Sequence, residues 1–274
     1  MPEEYTDSGM PLVISNGDEL MRSTTRRNFV RMFGAGGAVV LMPSIFGGCA
    51  TTSIPGVAGN AGLTFDLRTD IGIMRLVYTL EQLEAAFYTA VVALPRFTTF
   101  FNSAERELFT DLRNVEIVHR EFLRTALGSQ AVPDITGTIN GATLNSILSS
   151  RDNILGASRL FEHLGVSGLN GAGKYLQDAR NLLFAGKAVS VEARHAAALR
   201  DIAPPPGQNA NTAFAGDDIT DANGMDVKLE AGAVLDRVAS TRIVQNGAVS
   251  SRNITYAPTP TQGKPSADFF PTTP

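Results

Sequence analysis

The chain has 274 residues and 43% of them are hydrophobic, which is enough apolar material for a packed core in one or two domains. The formal net charge of −4 provides no basic surface for nucleic acid, so we expect no nucleic-acid partner. Cys49 is the only cysteine, which excludes an intrachain disulfide and a metal cluster built on cysteines.

Residues 1–50 have the features of an export signal. The arginine pair Arg26-Arg27 precedes an apolar run from Met32 to about Phe46, as in a twin-arginine signal. A permanent transmembrane helix needs ~20 apolar residues, and this run is shorter. We therefore expect export by the twin-arginine route to the periplasm or the cell envelope, with the signal removed or replaced by a lipid anchor.

Cys49 ends this segment, and its position suits lipid attachment after cleavage of the signal. Phe46 and Gly47 depart from the small aliphatic residues that usually precede the Gly-Cys pair of a lipoprotein. Cleavage nearby without lipidation therefore remains an alternative. Acyl chains on Cys49 would tether the protein to a membrane without spanning it, and this is the only membrane contact we expect.

The mature chain is predicted to begin with a linker and a long helix. Residues 51–64 are small and polar enough to form the linker, and we expect order to begin near Phe65. From Leu67 to about Leu94, apolar residues recur every three or four positions until Pro95. This spacing predicts the first amphipathic helix.

The second helix carries clear signals at both ends. Asn102 with Glu105 three residues later predicts a capping box, and Gly128 predicts the C-terminal end. Residues 129–142 follow as a loop that is long enough to cross from one end of a helical bundle to the other.

Two further helices complete the predicted bundle. The third spans roughly Leu144 to Leu176, where several glycines predict a bend or close packing against a neighbour. The fourth runs from about Gln177 to Ile202 and ends before Pro204. The fold class expected for residues 65–202 is therefore an all-α four-helix bundle with one long crossover.

The composition changes after residue 202 to Gly, Asn, Asp, Thr and Pro with short apolar patches. We expect residues 203–274 to form an irregular, loosely packed extension with one short helix from Leu229 to Val238. From about Ala257 the chain is expected to be a disordered tail.

A Glu-x-x-His pair occurs twice in the chain. Glu116 and His119 lie on the second helix, and Glu192 and His195 lie on the fourth. Residues three positions apart share one helix face, so each pair can direct a carboxylate and an imidazole into the bundle together. Carboxylates on helices are usually solvated surface groups, but two regularly spaced pairs on ordered helices favour a metal site.

A dinuclear site in a four-helix bundle needs one further glutamate from each of the other two helices. The third helix offers Glu162, and the first offers Glu81 or Glu84. Carboxylates can bridge two cations, and one imidazole per metal leaves positions open for oxygen species. Four Glu and two His suit iron or manganese better than a structural zinc, so we expect two Fe ions, or Mn, as cofactors.

Three segments of the chain resemble the ferritin-like family, which includes desiccation-related proteins and many exported bacterial members. They are residues 80–88 (LEQLEAAFY), 161–167 (FEHLGVS) and 191–196 (VEARHA), and the resemblance covers about residues 65–202. It implies that a tyrosine seven residues after the first glutamate lies beside the site. Tyr88 stands at that offset from Glu81, which favours Glu81 over Glu84, although Glu84 faces nearly the same way.

Two residues near this set are not expected to bind metal. His163 follows Glu162 directly and lies ~100° round the helix from it, so we interpret it as a non-ligand. Tyr88 is expected beside the site, and no radical role is inferred for it.

The leading functional hypothesis is an exported ferritin-like protein whose dinuclear centre reacts as an oxidase or removes peroxide, with O2 or H2O2 as partners. The alternative is a non-catalytic envelope protein of stress or desiccation that uses the bundle as a scaffold. Storage of iron in a closed cage is disfavoured, because a lipid anchor and a long extension would hinder shell packing. A homodimer fits either of the first two hypotheses.

Overall fold

The computed structural model describes residues 63–245 and 248–259. The predicted signal with Cys49, most of the predicted linker, and residues 260–274 of the predicted tail lie outside these ranges. In the part of the chain that is described, no helix is both long enough and apolar enough to cross a membrane.

Four long helices form the body of the protein, as the sequence predicts. They are α1 (Asp70–Val92), α3 (Ser103–Leu127), α5 (Arg151–Gly173) and α6 (Ala179–Ile202). Four shorter helices lie between and after them, namely α2 (Phe97–Phe100), α4 (Gly141–Ile147), α7 (Ala210–Ala213) and α8 (Ala231–Ser240). Single 3-10 turns occur at Gly128–Gln130, Thr136–Thr138 and Ser251–Asn253. The all-α fold class is confirmed.

The long helices begin at side-chain caps. The capping box of α3 is present as predicted, since Asn102 accepts from the Glu105 N–H and Glu105 accepts from the Asn102 N–H. Gly128 ends α3 with a φ of 54°, a conformation that favours glycine. The side chains of Ser150 and Asp178 cap the N-terminal ends of α5 and α6 by accepting from the Asn153 and Arg180 N–H groups. Local sequence thus sets where these helices start.

The predicted third helix is wrong in its bounds, because two helices occupy that region. The break falls between Ile147 and Arg151, where the Ser150 side chain accepts from the Asn153 N–H and begins α5. The Ser149 hydroxyl donates to the Ser146 carbonyl, which offers the backbone an alternative to continued helix.

The connection between α3 and α5 crosses the length of the bundle. Arg151 at the start of α5 forms an ion pair with Glu105 at the start of α3, so the two helices begin at the same end. The crossover is attached to α1 through Gln82, whose amide accepts from the Ile135 N–H at 2.9 Å and donates to the Pro133 carbonyl at 3.4 Å. The predicted long crossover is therefore present.

The segment after α6 is packed against the bundle, whereas we expected it to be loose. Val234, Leu235 and Val238 of α8 belong to the main hydrophobic core. Gly171 on α5 permits this approach, because a Cβ there would lie 1.8 Å from the Leu229 carbonyl oxygen. The extension thus covers one face of α5.

A short parallel β-ladder joins the two ends of the described chain. Strand β1 (Phe65–Asp66) pairs with β2 (Ile254–Tyr256), with Phe65 opposite Ile254. Phe65 is fully buried, so this ladder also closes the core before α1.

We predict that Glu105→Ala lowers the free energy of unfolding by about 1 kcal/mol, because it removes half of the capping box and the partner of Arg151. Burial raises the pKa of Glu105, but the Arg151 side chain and the Asn102 N–H together hold it below its usual 4.5. The carboxylate therefore stabilises the fold above that pH, and the difference from the parent should shrink as the pH falls below it.

Urea unfolding at neutral and acidic pH measures this difference. Glu107→Ala is the matched control, since Glu107 is an exposed glutamate on the same helix. An equal loss of stability in both variants would show that the cap and the ion pair contribute nothing specific.

Candidate metal centre

The six predicted ligands meet inside the bundle. Each lies on one of the four long helices, and they are Glu81 on α1, Glu116 and His119 on α3, Glu162 on α5, and Glu192 and His195 on α6. The four carboxylates are 3% exposed or less, although carboxylates are normally found at the surface. The helical spacing of three within each Glu-x-x-His pair brings both of its side chains to the interior.

The side chains form two groups that overlap. In each group, one nitrogen or oxygen atom from every residue lies within 4.8 Å of those from the others. One group is Glu81, Glu116, His119 and Glu192, and the other is Glu116, Glu162, Glu192 and His195. Glu116 and Glu192 belong to both, so they stand between two positions that each have one histidine.

The His119 ring is surrounded by carboxylates. Its Nδ1 lies 3.0 Å from Glu192 Oε1, 3.4 Å from Glu116 Oε2 and 3.5 Å from Glu81 Oε2. These atoms are close, but among the described residues Nδ1 has no partner in hydrogen-bond geometry. Polar atoms that converge without pairing are the arrangement that a cation between them requires.

The His195 side has a similar geometry and one additional support. His195 Nδ1 lies 3.0 Å from Glu116 Oε1 and 3.1 Å from Glu162 Oε2. The Tyr88 hydroxyl donates to the other oxygen, Glu162 Oε1, at 2.5 Å. Tyr88 is fully buried, so its ring is fixed and it holds the Glu162 carboxyl in one orientation.

The site has more acidic than basic groups. Among the described residues, its carboxylates have close contacts with His119 and His195 and no ion pair with lysine or arginine. Burial raises the pKa of Glu81 to about 8 and also raises that of Glu162. Burial acts in the same direction on Glu116, but the two histidines lower its pKa to about 2.

The histidines respond in the opposite sense. Burial alone would lower the pKa of His195, but Glu116 and Glu162 raise it to about 11, and Glu81 with its neighbours raises the pKa of His119. The site therefore favours positive charge on its histidines, beside carboxylates that have no other basic neighbour among the described residues.

Several buried atoms in the site lack a hydrogen-bond partner within the described residues. They are Glu81 Oε2, His119 Nδ1, and both carboxylate oxygens of Glu116 and of Glu192. Leaving such atoms unpaired costs about 1–3 kcal/mol each, and more when they are charged. Oxygen and imidazole donors in this ratio suit iron or manganese, so the residues present fit a metal centre.

The two candidate glutamates of α1 differ in their position relative to the ligand groups. Glu81 belongs to the first group of four, whereas Glu84 is buried outside both groups. Burial and the repulsion of the neighbouring carboxylates raise the pKa of Glu84. His163 also lies outside both groups, and burial lowers its pKa.

Gly165 is a part of the site that we did not recognise from the sequence. A Cβ on Gly165 would lie 3.1 Å from Glu192 Oε2, which is tighter than ordinary packing. Gly165 follows Glu162 by three positions, so it faces the same way, and that spacing was the available signal. The missing side chain lets the α6 carboxylate lie against α5.

Comparison with family models finds one match. The model described as "Ferritin-like domain" matches residues 69–204. This range contains all six grouped residues and the whole of the four long helices. Comparisons with curated proteins and with solved structures find no significant match. The family match and the buried Glu/His groups agree on the same segment of the chain.

We predict opposite effects for alanine at two glycines of α5. Gly156→Ala should raise the free energy of unfolding by up to about 1 kcal/mol, because a Cβ there meets nothing within 4 Å and alanine favours helix. Gly165→Ala should raise it less, or lower it, because the Glu192 carboxylate must move by a few tenths of an ångström. Chemical unfolding of both variants measures this, and equal stabilisation would contradict the close approach.

Proposed function

We propose, on the premise that residues 69–204 form a ferritin-like domain, that this domain binds two iron or manganese ions and reacts with O2 or H2O2. The observation that carries the proposal is the sharing of Glu116 and Glu192 between two groups of ligands. Two groups with common carboxylates fit a dinuclear centre better than two separate ions.

The ligands divide evenly between two positions. Glu81 and His119 belong to one position alone, and Glu162 and His195 belong to the other alone. Each ion would therefore have one imidazole and one carboxylate of its own, and would share Glu116 and Glu192. This set leaves coordination positions open on both ions, as a centre that binds an oxygen species requires.

A pair of redox-active ions would supply the electron transfer to oxygen or peroxide. The chain supplies position and environment. Tyr88 holds Glu162 through its hydroxyl, and Gly165 lets Glu192 approach α5. Phe87 and Phe109 are buried beside Tyr88, and such apolar walls keep bulk water away from the carboxylates.

Export is part of the same proposal and rests on the sequence alone. The Arg26-Arg27 pair and the apolar run after it support the twin-arginine route, and Cys49 supports a lipid anchor. That route carries folded proteins, so the metal could be loaded before export to the periplasm or cell envelope.

Metal analysis of the full-length protein tests the centre. We expect two metal ions per chain in the parent and a clear loss in Glu116→Gln and His195→Ala, because the first change alters a shared ligand and the second removes an imidazole. His163→Ala is the matched control, since it removes a histidine of α5 that lies outside both groups. An unaltered metal ratio in Glu116→Gln and His195→Ala would contradict the proposed ligands.

The reaction is tested separately with the metal-loaded protein. We expect consumption of O2 by the Fe(II) form, or of H2O2, at rates that fall in proportion to metal content in the variants. Bound metal without turnover would favour the scaffold alternative. Size-exclusion chromatography addresses iron storage, because a closed cage would elute far ahead of a monomer or homodimer.

We predict that Tyr88→Phe weakens metal binding ~10–100-fold, because Glu162 loses the hydrogen bond that orients it. Tyr78→Phe is the control, since Tyr78 is a buried tyrosine of the same helix whose hydroxyl does not contact the Glu/His groups. Titration of the metal-free variants with Mn(II) compares their affinities. Equal affinities would assign Tyr88 to core packing alone.

A further inference from the structure

An apolar cavity lies beside the Glu/His groups. Its volume is about 460 Å³, within the range of roughly 300–1,000 Å³ that is usual for small-molecule sites. Its inner end is formed by Glu81, Glu84 and Gly165, which connects it to the candidate metal centre. Its outer end includes the exposed residues Glu230 and Ala257.

The walls of the cavity come from three parts of the chain. Leu76, Val77 and Leu80 of α1 form one side, and the α5 segment with Gly168 forms another. The extension provides the remaining wall through Val234 of α8. Gly168 permits this closure, because a Cβ there would lie 3.3 Å from Val234 Cγ2. The extension therefore covers part of a bundle face and leaves a cavity beneath it.

Four polar side chains line the cavity among the described residues, and three of them are already engaged. Glu81 belongs to the candidate metal centre. Glu230 at the outer end accepts from the Tyr175 hydroxyl at 3.0 Å and pairs with Lys174 at 2.5 Å. Glu84 is 6% exposed and, within the described ranges, has no hydrogen-bond or ion-pair partner.

We propose that this cavity binds an aliphatic molecule with one uncharged hydrogen-bonding end, such as a long-chain alcohol, and that Glu84 meets that end. The apolar walls fit the aliphatic part. No lysine or arginine is among the described lining residues, so a fatty-acid carboxylate would face Glu81 and Glu84 without a counter-charge. An ammonium end would lose its hydration between apolar walls, and burial raises the pKa of Glu84, so this carboxyl does not supply a full counter-charge.

The proposal goes beyond the metal function and does not depend on it. Glu84 lies outside both ligand groups, so the cavity can be tested whether or not metal is bound. The full-length protein is titrated with the neutral apolar dye Nile red, and decanol, decanoate and decylamine are then compared as competitors. Metal content is measured in parallel on the same samples.

Gly232→Phe places a large side chain at the wall of the cavity. Gly232 lines the cavity on α8, and the atoms nearest to an added Cβ are 3.8 Å and 3.9 Å away, which is ordinary contact. Gly186→Phe is the matched control, because Gly186 is an exposed helical glycine of α6 with nothing within 4 Å of an added Cβ. Residues 1–62 are identical in all variants, so dye bound there cancels in the comparison.

We expect saturable dye binding in the parent and in Gly186→Phe, and its loss in Gly232→Phe. Decanol should displace the dye, whereas decanoate and decylamine should not. Glu84→Leu should keep dye binding but lower the affinity for decanol about tenfold, which is the effect of one lost hydrogen bond. Glu84→Gln should restore the affinity for decanol, because its amide can also form a hydrogen bond.

Dye binding in Gly232→Phe equal to that in the parent, or no saturable binding in the parent, would overturn the cavity as a ligand site. Preferential displacement by decanoate or decylamine would contradict the proposal that the polar end of the ligand is uncharged. An unchanged decanol affinity in Glu84→Leu would remove Glu84 from the site. Loss of metal in Glu116→Gln with intact dye binding would leave the cavity proposal standing, and metal without dye binding would contradict this proposal alone.

Discussion

Buried negative charge is the constraint on which the rest of this structure depends. Glu81, Glu116, Glu162 and Glu192 lie between four helices, with His119 and His195 as their close basic neighbours. Desolvated carboxylates are costly unless cations or protons balance them. Metal ions held between these residues would balance this charge directly and would also satisfy oxygen atoms that have no partner among the described residues. The burial of these carboxylates therefore favours the binding of cations between the four helices.

The features around the site follow from keeping that interior in one geometry. Tyr88 fixes one carboxyl through its hydroxyl, and Gly165 leaves room for another. Gln82, next to Glu81 on α1, attaches the long crossover through two backbone contacts. Each acts on the position of a ligand or of a ligand-bearing helix, which is how a fold converts packing into a defined coordination site.

The extension after α6 gives the bundle a second property. By packing α8 against glycines of α5, it partly covers an apolar cavity whose inner end is formed by Glu81 and Glu84. Without this cover, the same face of the bundle would be open to water. The buried carboxyl of Glu84, with apolar surroundings, therefore lies next to the candidate metal centre.

The sequence by itself determined the bundle, the caps of its helices and the candidate ligands, because helical periodicity, Asn102 with Glu105, and the two Glu-x-x-His pairs are all local patterns. It favoured Glu81 over Glu84 only through the offset of Tyr88, and it left Glu84 as an alternative, since residues three apart differ by only ~60° around a helix. Only the tertiary structure shows that Glu81, and not Glu84, lies close to the other candidate ligands, that Glu116 and Glu192 belong to both groups, and that the extension packs closely and lines a cavity. Each of these features depends on the distance between segments that are remote in the chain, and a local sequence pattern does not determine that distance.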